Sequence, residues 1–265
     1  MSGDTFFVAN YSSVFQFDYR WRIIGSCSHP LCADIHDIAY HEEHLWVTST
    51  RNDLLLAFHL DGRIAECIDP WQSEALQALT DGHGGAASYR FDGVDFRDPR
   101  THDKTRTDQL HLNGFATCAD GFRLTLGQVR TNGRPFSAVV KFTSNSDSSI
   151  ETRLSDAVVP SHNLLPWDVN TYLHVHSAAC AVLAVDVHGG VSTEIGRYDR
   201  GFLRGLCRLD AMHYAVGAQN VLLVFQFGNP NPVRRIAISA NPNESIHTIA
   251  ALPDDFPLTF PPLRR

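Results

Sequence analysis

Four histidines, His36, His111, His162 and His247, stand far apart in the chain, each at or near the start of a short apolar run. Neutral imidazole is a ligand for Zn, Fe, Cu and Ni. Three or four imidazoles gathered from separate elements hold one such ion and leave a coordination position open for water or substrate. Asp37 and Asn113 add a carboxylate and an amide beside two of these histidines, and Arg204 adds a guanidinium fork suited to a carboxylate or phosphate. The set predicts a divalent transition metal (Fe, Zn or Cu) on His36, His111, His162 and His247. Arg204, Asn113 and Asp37 then act on a small polar or anionic substrate. Metal-assisted hydrolysis, elimination and oxidation all fit such a centre. The competing expectation is that each imidazole donates to a backbone carbonyl or a water and merely fills a channel. The protein is then a non-catalytic scaffold whose rim binds a protein or sugar partner.

Other chemistries find less support. His41-Glu42-Glu43-His44 is one residue short of the zinc-protease spacing and falls in a turn. His174 and His176 flank Val175 on a predicted strand and point to one side, where packing explains them. The chain has no Gly-x-Ser-x-Gly elbow and no phosphate-cradling glycine-rich loop ahead of a helix, which argues against serine-nucleophile and nucleotide chemistry. No spaced pair of carboxylates stands out for glycoside hydrolysis.

Only a repeat brings such distant residues together, and the chain has one. An apolar–polar–apolar phrase before a turn recurs at Phe15-Gln16-Phe17, Phe58-His59-Leu60, Val140-Lys141-Phe142, Val185-Asp186-Val187 and Phe225-Gln226-Phe227. A period of about 40 residues made only of short strands is that of a β-propeller blade. The innermost strand of every blade lines the central channel, so the residues that open those strands meet on one axis. Aligning the blades on their second strands sets His36, Asn113, His162 and Arg204 at equivalent positions, with His247 opening the strand of the closing blade. His111, two residues before Asn113, shares its side of the strand.

The chain begins inside a blade, since residues 6–9, 14–19 and 21–24 match strands two to four with no first strand ahead of them. Residues 246–252 resemble the missing strand, so the C-terminal strand is expected to join the N-terminal blade and close the ring. The prolines at 253, 257, 261 and 262 then mark an irregular tail. The step from Leu60 to Phe142 spans two periods. The phrase at 89–93 would allow a sixth blade, but WQSEALQAL reads as a short helix and DGHGG as a turn. The expectation is therefore an all-β, five-bladed propeller, one domain over 1–265, with an insertion at about 66–110. The insertion's Asp81, His83, Asp95, Asp98, His102, Asp103 and Asp108 read mostly as a solvated acidic loop.

Composition sets limits. A net charge of -7 argues against a nucleic-acid partner, and no apolar run reaches the length of a membrane span. Six cysteines without a Cys-x-x-Cys pair read as reduced thiols, and MSGDTFFVAN is not a signal peptide, so a cytoplasmic protein is expected.

Four segments resemble one β-propeller family, marked by Asp-Arg-x-His-Leu-Asn-Gly-Leu-Ala, Pro-His-Ser-Pro and Gly-Phe-Thr-Arg-Gly-Leu signatures and a Trp-x-Pro-type insertion. Here they are Trp71, Asp108-Gln109-Leu110-His111-Leu112-Asn113-Gly114, Pro160-Ser161-His162-Asn163 and Gly201-Phe202-Leu203-Arg204-Gly205-Leu206. His36-Asp37-Ile38-Ala39 is similar too. The resemblance spans residues 34–220 and implies the propeller fold, not an activity. It departs at Gln109, where the family has Arg, and at the rearranged 160–163. More remotely, a His-lined propeller resembles the carotenoid-type iron oxygenases, whose chains are far longer and match no stretch here in detail.

Overall fold

A computed structural model describes residues 5–79, 94–101, 108–118, 121–130, 134–142, 148–153, 160–186, 188 and 190–252. They form five antiparallel sheets arranged as a five-bladed β-propeller. The first has three strands, β1 (Thr5–Ala9), β2 (Ser13–Asp18) and β3 (Ile23–Ser28). The second runs β4 (Ile35–His41), β5 (His44–Ser49), β6 (Leu54–Phe58) and β7 (Ile64–Ile68). The third is β8 (Leu112–Cys118), β9 (Gly121–Val129), β10 (Phe136–Phe142) and β11 (Ser148–Arg153). The fourth is β12 (Ser161–Pro166), β13 (Thr171–His176), β14 (Ala181–Asp186) and β15 (Ser192–Arg197). The fifth is β16 (Leu203–Arg208), β17 (His213–Ala218), β18 (Val221–Gln226) and β19 (Arg234–Ala237).

Period-two patterning explains how the blades stack. Strand β6, Leu-Leu-Leu-Ala-Phe, is buried on both faces. Its Leu54, Leu56 and Phe58 pack with Val14 towards the first blade, while Leu55 and Ala57 pack with Leu124 and Phe136 of the third. Alternate residues thus feed two different cores, and a sandwiched strand reads as a continuous apolar run. The same division holds in β13, where Leu173 and Val175 join Tyr214 and Phe225 of the fifth blade, and Tyr172 joins Ala116 and Val139 of the third.

WQSEALQAL does carry a short helix, α1 (Glu74–Leu79), after a 3-10 turn at Pro70–Gln72. Trp71 and Leu76 are buried in the core between the second and third blades. The segment leaving the sheet begins at Asp69 rather than at 66, because β7 continues to Ile68. Asp95 and Asp98 are solvated as expected and pair with Arg97 and Arg100. The phrase at 89–93, the turn at 81–85, residues 81, 83, 102 and 103, and the proline-rich tail lie outside the described residues. All six cysteines are free thiols. No helix among the described residues is long and apolar enough to cross a membrane.

The C-terminal segment corrects one expectation. Residues 246–252 do not form a strand, and among the described residues β1 pairs with β2 alone. The apolar anchors are the reason: Ile246 and Ile249 are three apart, and side chains that far apart on a strand face opposite sides. As irregular chain, both reach the fifth blade. A Cβ on Gly217 would come within 2.6 Å of Ile246, and one on Gly205 (φ +70°) within 3.0 Å of Ile249. Ile246 N–H donates to the Gln219 carbonyl at 2.9 Å, and Ala251 N–H to Cys207 Sγ at 3.1 Å.

His174, on β13, is fully buried and neither ring nitrogen has a hydrogen-bond partner among the described residues. Burial, then the neighbouring His176, pushes its pKa down to about 3. It therefore stays neutral in the folded chain at pH values where it takes up a proton in the unfolded one. Its contribution to stability is present above pH 6.5 and is lost as pH falls towards 3, by up to about 1.4 kcal/mol per pH unit. Urea unfolding of His174→Phe between pH 7 and 4 should show a shallower loss of stability than the parent. An unchanged slope refutes the assignment.

Candidate functional site

Each four-stranded blade carries a β-bulge in its innermost strand. His36 and Asp37 lie between the pairs Ile35–Ser49 and Ile38–Val47, Asn113 between Leu112–Leu126 and Gly114–Thr125, Asn163 between His162–Val175 and Leu164–His174, and Gly205 between Arg204–Gly217 and Leu206–Val216. An extra residue bends its strand and re-aims its side chains. It also changes the expected alignment. Asn113 matches Asn163 at the bulge rather than His162, and Leu112 takes the position of His162 and Arg204. His111 reaches the axis from a left-handed turn (φ 54°) just before β8, not by strand alternation.

The bulge residues tie each blade to the next. Asp37 Oδ2 accepts from Phe115 N–H of the third blade at 3.2 Å. Asn113 Nδ2 donates to the Ser161 carbonyl of the fourth at 2.6 Å, and Asn163 Oδ1 accepts from Gly205 N–H of the fifth at 2.8 Å. Asp37 and Asn113, expected to act on substrate, are thus engaged in inter-blade bonds. Burial raises the Asp37 carboxyl to about 7, against the opposing pull of the Phe115 and Ile38 amides and of His36.

His36, His111 and His162 converge. One potential ligand nitrogen from each lies within 4.8 Å of the others. Ring centroids are 5.3 Å apart for His36 and His111, 6.0 Å for His36 and His162, and 6.3 Å for His111 and His162.

The Nδ1 atom of every ring is already taken. His36 Nδ1 meets Asn113 Oδ1 at 2.5 Å, and because Asn113 spends its NH2 on Ser161, the oxygen accepts and Nδ1 carries the proton. His111 Nδ1 donates to the Asp108 carboxylate, and His162 Nδ1 pairs with Ser177 Oγ at 2.6 Å. Such contacts orient imidazoles at metal centres and leave Nε2 as the ligand atom. His162 Nε2 is buried and has no hydrogen-bond partner among the described residues. Burial, then the charges of Arg204 and the neighbouring histidines, pushes His162 down to about 2, so the ring is neutral.

The segment ahead of β8 is pinned by Asp53. This fully buried carboxylate accepts from the backbone N–H groups of Gln109, Leu110 and His111 at 2.8, 3.1 and 3.0 Å, and from Trp71 Nε1 at 3.4 Å. Burial raises it to about 7 even so. Asp108, expected among solvated acids, is instead buried, bonded to His111 and to Arg130 Nη2 at 3.1 Å, with Arg51 Nη1 at 3.6 Å. Asp34 (φ 57°) sits 3.4 Å from His36 Nε2 and 3.7 Å from Arg51 Nη2. Asp34, Asp53, Asp108 and Ser177 are the neighbours that sequence reasoning missed. Of these Asp34, two residues before His36, and Asp108, three before His111, are near their histidines in sequence.

His247 stands apart from the three. Its Nδ1 lies 2.9 Å from Arg204 Nη1, on the irregular C-terminal segment. Arg204 lies over the Phe202 ring, 5.2 Å from its centroid, and its buried Nε has no acceptor among the described residues.

No family model matches the chain, and no curated protein matches it. Solved structures do. Streptogramin B lyase aligns over 94% of this chain and 70% of its own, with a TM-score of 0.59 and 11% identity. A protein of unknown function from Bacteroides caccae aligns over 87% and 72%, with a TM-score of 0.55 and 9% identity. U3-55K aligns over 88% and 61%, with a TM-score of 0.52 and 10% identity. Likeness at these identities shows the fold alone.

Gly127, on β9, faces the Asn113 bridge. A Cβ there would lie 2.1 Å from Asn113 Nδ2 and 2.6 Å from the Ser161 carbonyl. Gly127→Ala should push Asn113 off both His36 and Ser161 and cost about 1–3 kcal/mol of stability. Thermal unfolding of this variant beside Asn113→Ala and the double variant should show strong non-additivity. Simple additivity refutes the bridge.

Proposed function

We propose that this protein is a metal-dependent enzyme acting on a small polar or anionic metabolite at the mouth of its axial channel. The observation that carries the reading is three imidazoles from three blades, each held through Nδ1 by a different group, with one potential ligand nitrogen from each within 4.8 Å of the others. A packing role needs no such convergence. His36, His111 and His162 are the ligands, and imidazole donors favour Zn, Fe, Cu or Ni over Mg or Ca. A bound ion with an open position supplies Lewis-acid polarisation of a substrate oxygen. Asn113, Asp108 and Ser177 fix ring orientation, and Asp53 holds the His111 turn in place. Arg204 meets the anionic group of the substrate.

Purified protein, loaded and then dialysed, should retain one divalent transition metal per chain by elemental analysis. His36→Ala and His162→Ala should lose it while remaining folded by circular dichroism, and His174→Phe should keep it. Asp108→Asn should weaken metal affinity by about 10–100-fold, the usual effect of removing a ligand's outer partner. A folded parent protein that retains no metal at all sinks the proposal and leaves the non-catalytic propeller in its place.

A further inference from the structure

Resting on the metal centre proposed above, we infer that His247 is not a ligand of that centre but forms, with Arg204, a donor-only subsite for the carboxylate or phosphate of a small ligand. Proton bookkeeping carries this. A guanidinium has five N–H donors and no acceptor, so the 2.9 Å contact between Arg204 Nη1 and His247 Nδ1 requires Nδ1 to accept. The proton of neutral His247 is then on Nε2. His36 and His111 are the reverse, with the proton on Nδ1 and the lone pair on Nε2. An imidazole with Nε2–H and an occupied Nδ1 offers no lone pair to a metal. It offers a hydrogen bond.

Charge pairing agrees. Around the three histidines the acids are already answered: Asp34 by Arg51 at 3.7 Å, and Asp108 by Arg51 at 3.6 Å and Arg130 at 3.1 Å. Arg204 has no carboxylate within ion-pair distance among the described residues. It is half-buried, fixed on the Phe202 ring, and has a free Nε–H. A partly desolvated cation with no carboxylate in ion-pair contact among the described residues, beside an imidazole that can only donate, is complementary to an anion. A divalent ion on the three histidines adds to that demand.

His247→Gln separates the two roles, because glutamine can accept from Arg204 and still donate, whereas its amide is a poor ligand for a transition metal. Calorimetric titration of the zinc-loaded full chain with oxalate and with inorganic phosphate should detect binding of at least one, and the tighter one identifies the anion class. Arg204→Met and His247→Phe should weaken it at least about tenfold, the range for hydrogen bonds to a charged group. His247→Gln should stay close to the parent, and all three variants should keep the parent's zinc content. Loss of zinc in His247→Gln overturns the inference. So does a parent that binds neither anion, or affinity unchanged in both Arg204→Met and His247→Phe. If the parent holds no zinc the metal centre fails, and the same titrations on metal-free protein still decide the subsite by the same outcomes.

Discussion

At the centre of the ring, one polar side chain from each of three consecutive blades crosses to the main chain of the next. Asp37 reaches Phe115, Asn113 reaches Ser161 and Asn163 reaches Gly205. These crossings exist because each inner strand holds a residue that its neighbour cannot pair. A regular ladder would leave no side chain free to turn sideways into the next blade. The rest of the site follows. Asn113, committed to Ser161 through its NH2, has only its oxygen left for His36, and that fixes which nitrogen of His36 carries the proton. Joining the blades and orienting the His36 ring are the work of one amide.

Burial by itself does not make the site. His162 and His174 are both buried, both depressed far below the ordinary imidazole range and both left with an unpartnered nitrogen. They differ in company. His162 faces two other imidazoles across the axis, while His174 belongs to the packing of its own strand. The cost of withholding a proton from each ring is similar, but only the first arrangement puts several lone pairs in one place. Asp53 shows the same economy in a carboxylate: three successive amides converge on it, and the turn they define delivers His111.

Much of the architecture was legible in the sequence because period-two alternation survives in every blade. The repeated phrase ending in Phe17, Leu60, Phe142, Val187 and Phe227 located the third predicted strands, and the continuous apolar run of β6 follows from burial on both faces. The histidines that converge were legible because they stand at strand openings. What escaped was set by events that break a period. A bulge moves a register by one residue, so Asn113 was aligned with His162 when it matches Asn163. A left-handed turn, not alternation, carries His111. Asp53 and Ser177 are remote in sequence from the residues they serve, and only the closed ring brings them near. The last segment looked like a strand from its composition, but its isoleucines are spaced for irregular chain.

That last segment has a mechanical consequence. Ile246 and Ile249 seat on two glycines of the fifth blade, and the described hydrogen bonds from their stretch to that blade are an amide to Gln219, an amide to the Cys207 sulfur and the contact of His247 with Arg204. No ladder has to unzip for it to lift away. Peeling it off would leave all five sheets paired, so the free energy of releasing this segment is separate from that of unfolding. A ring sealed by a fourth strand would have tied that release to the loss of a blade's pairing.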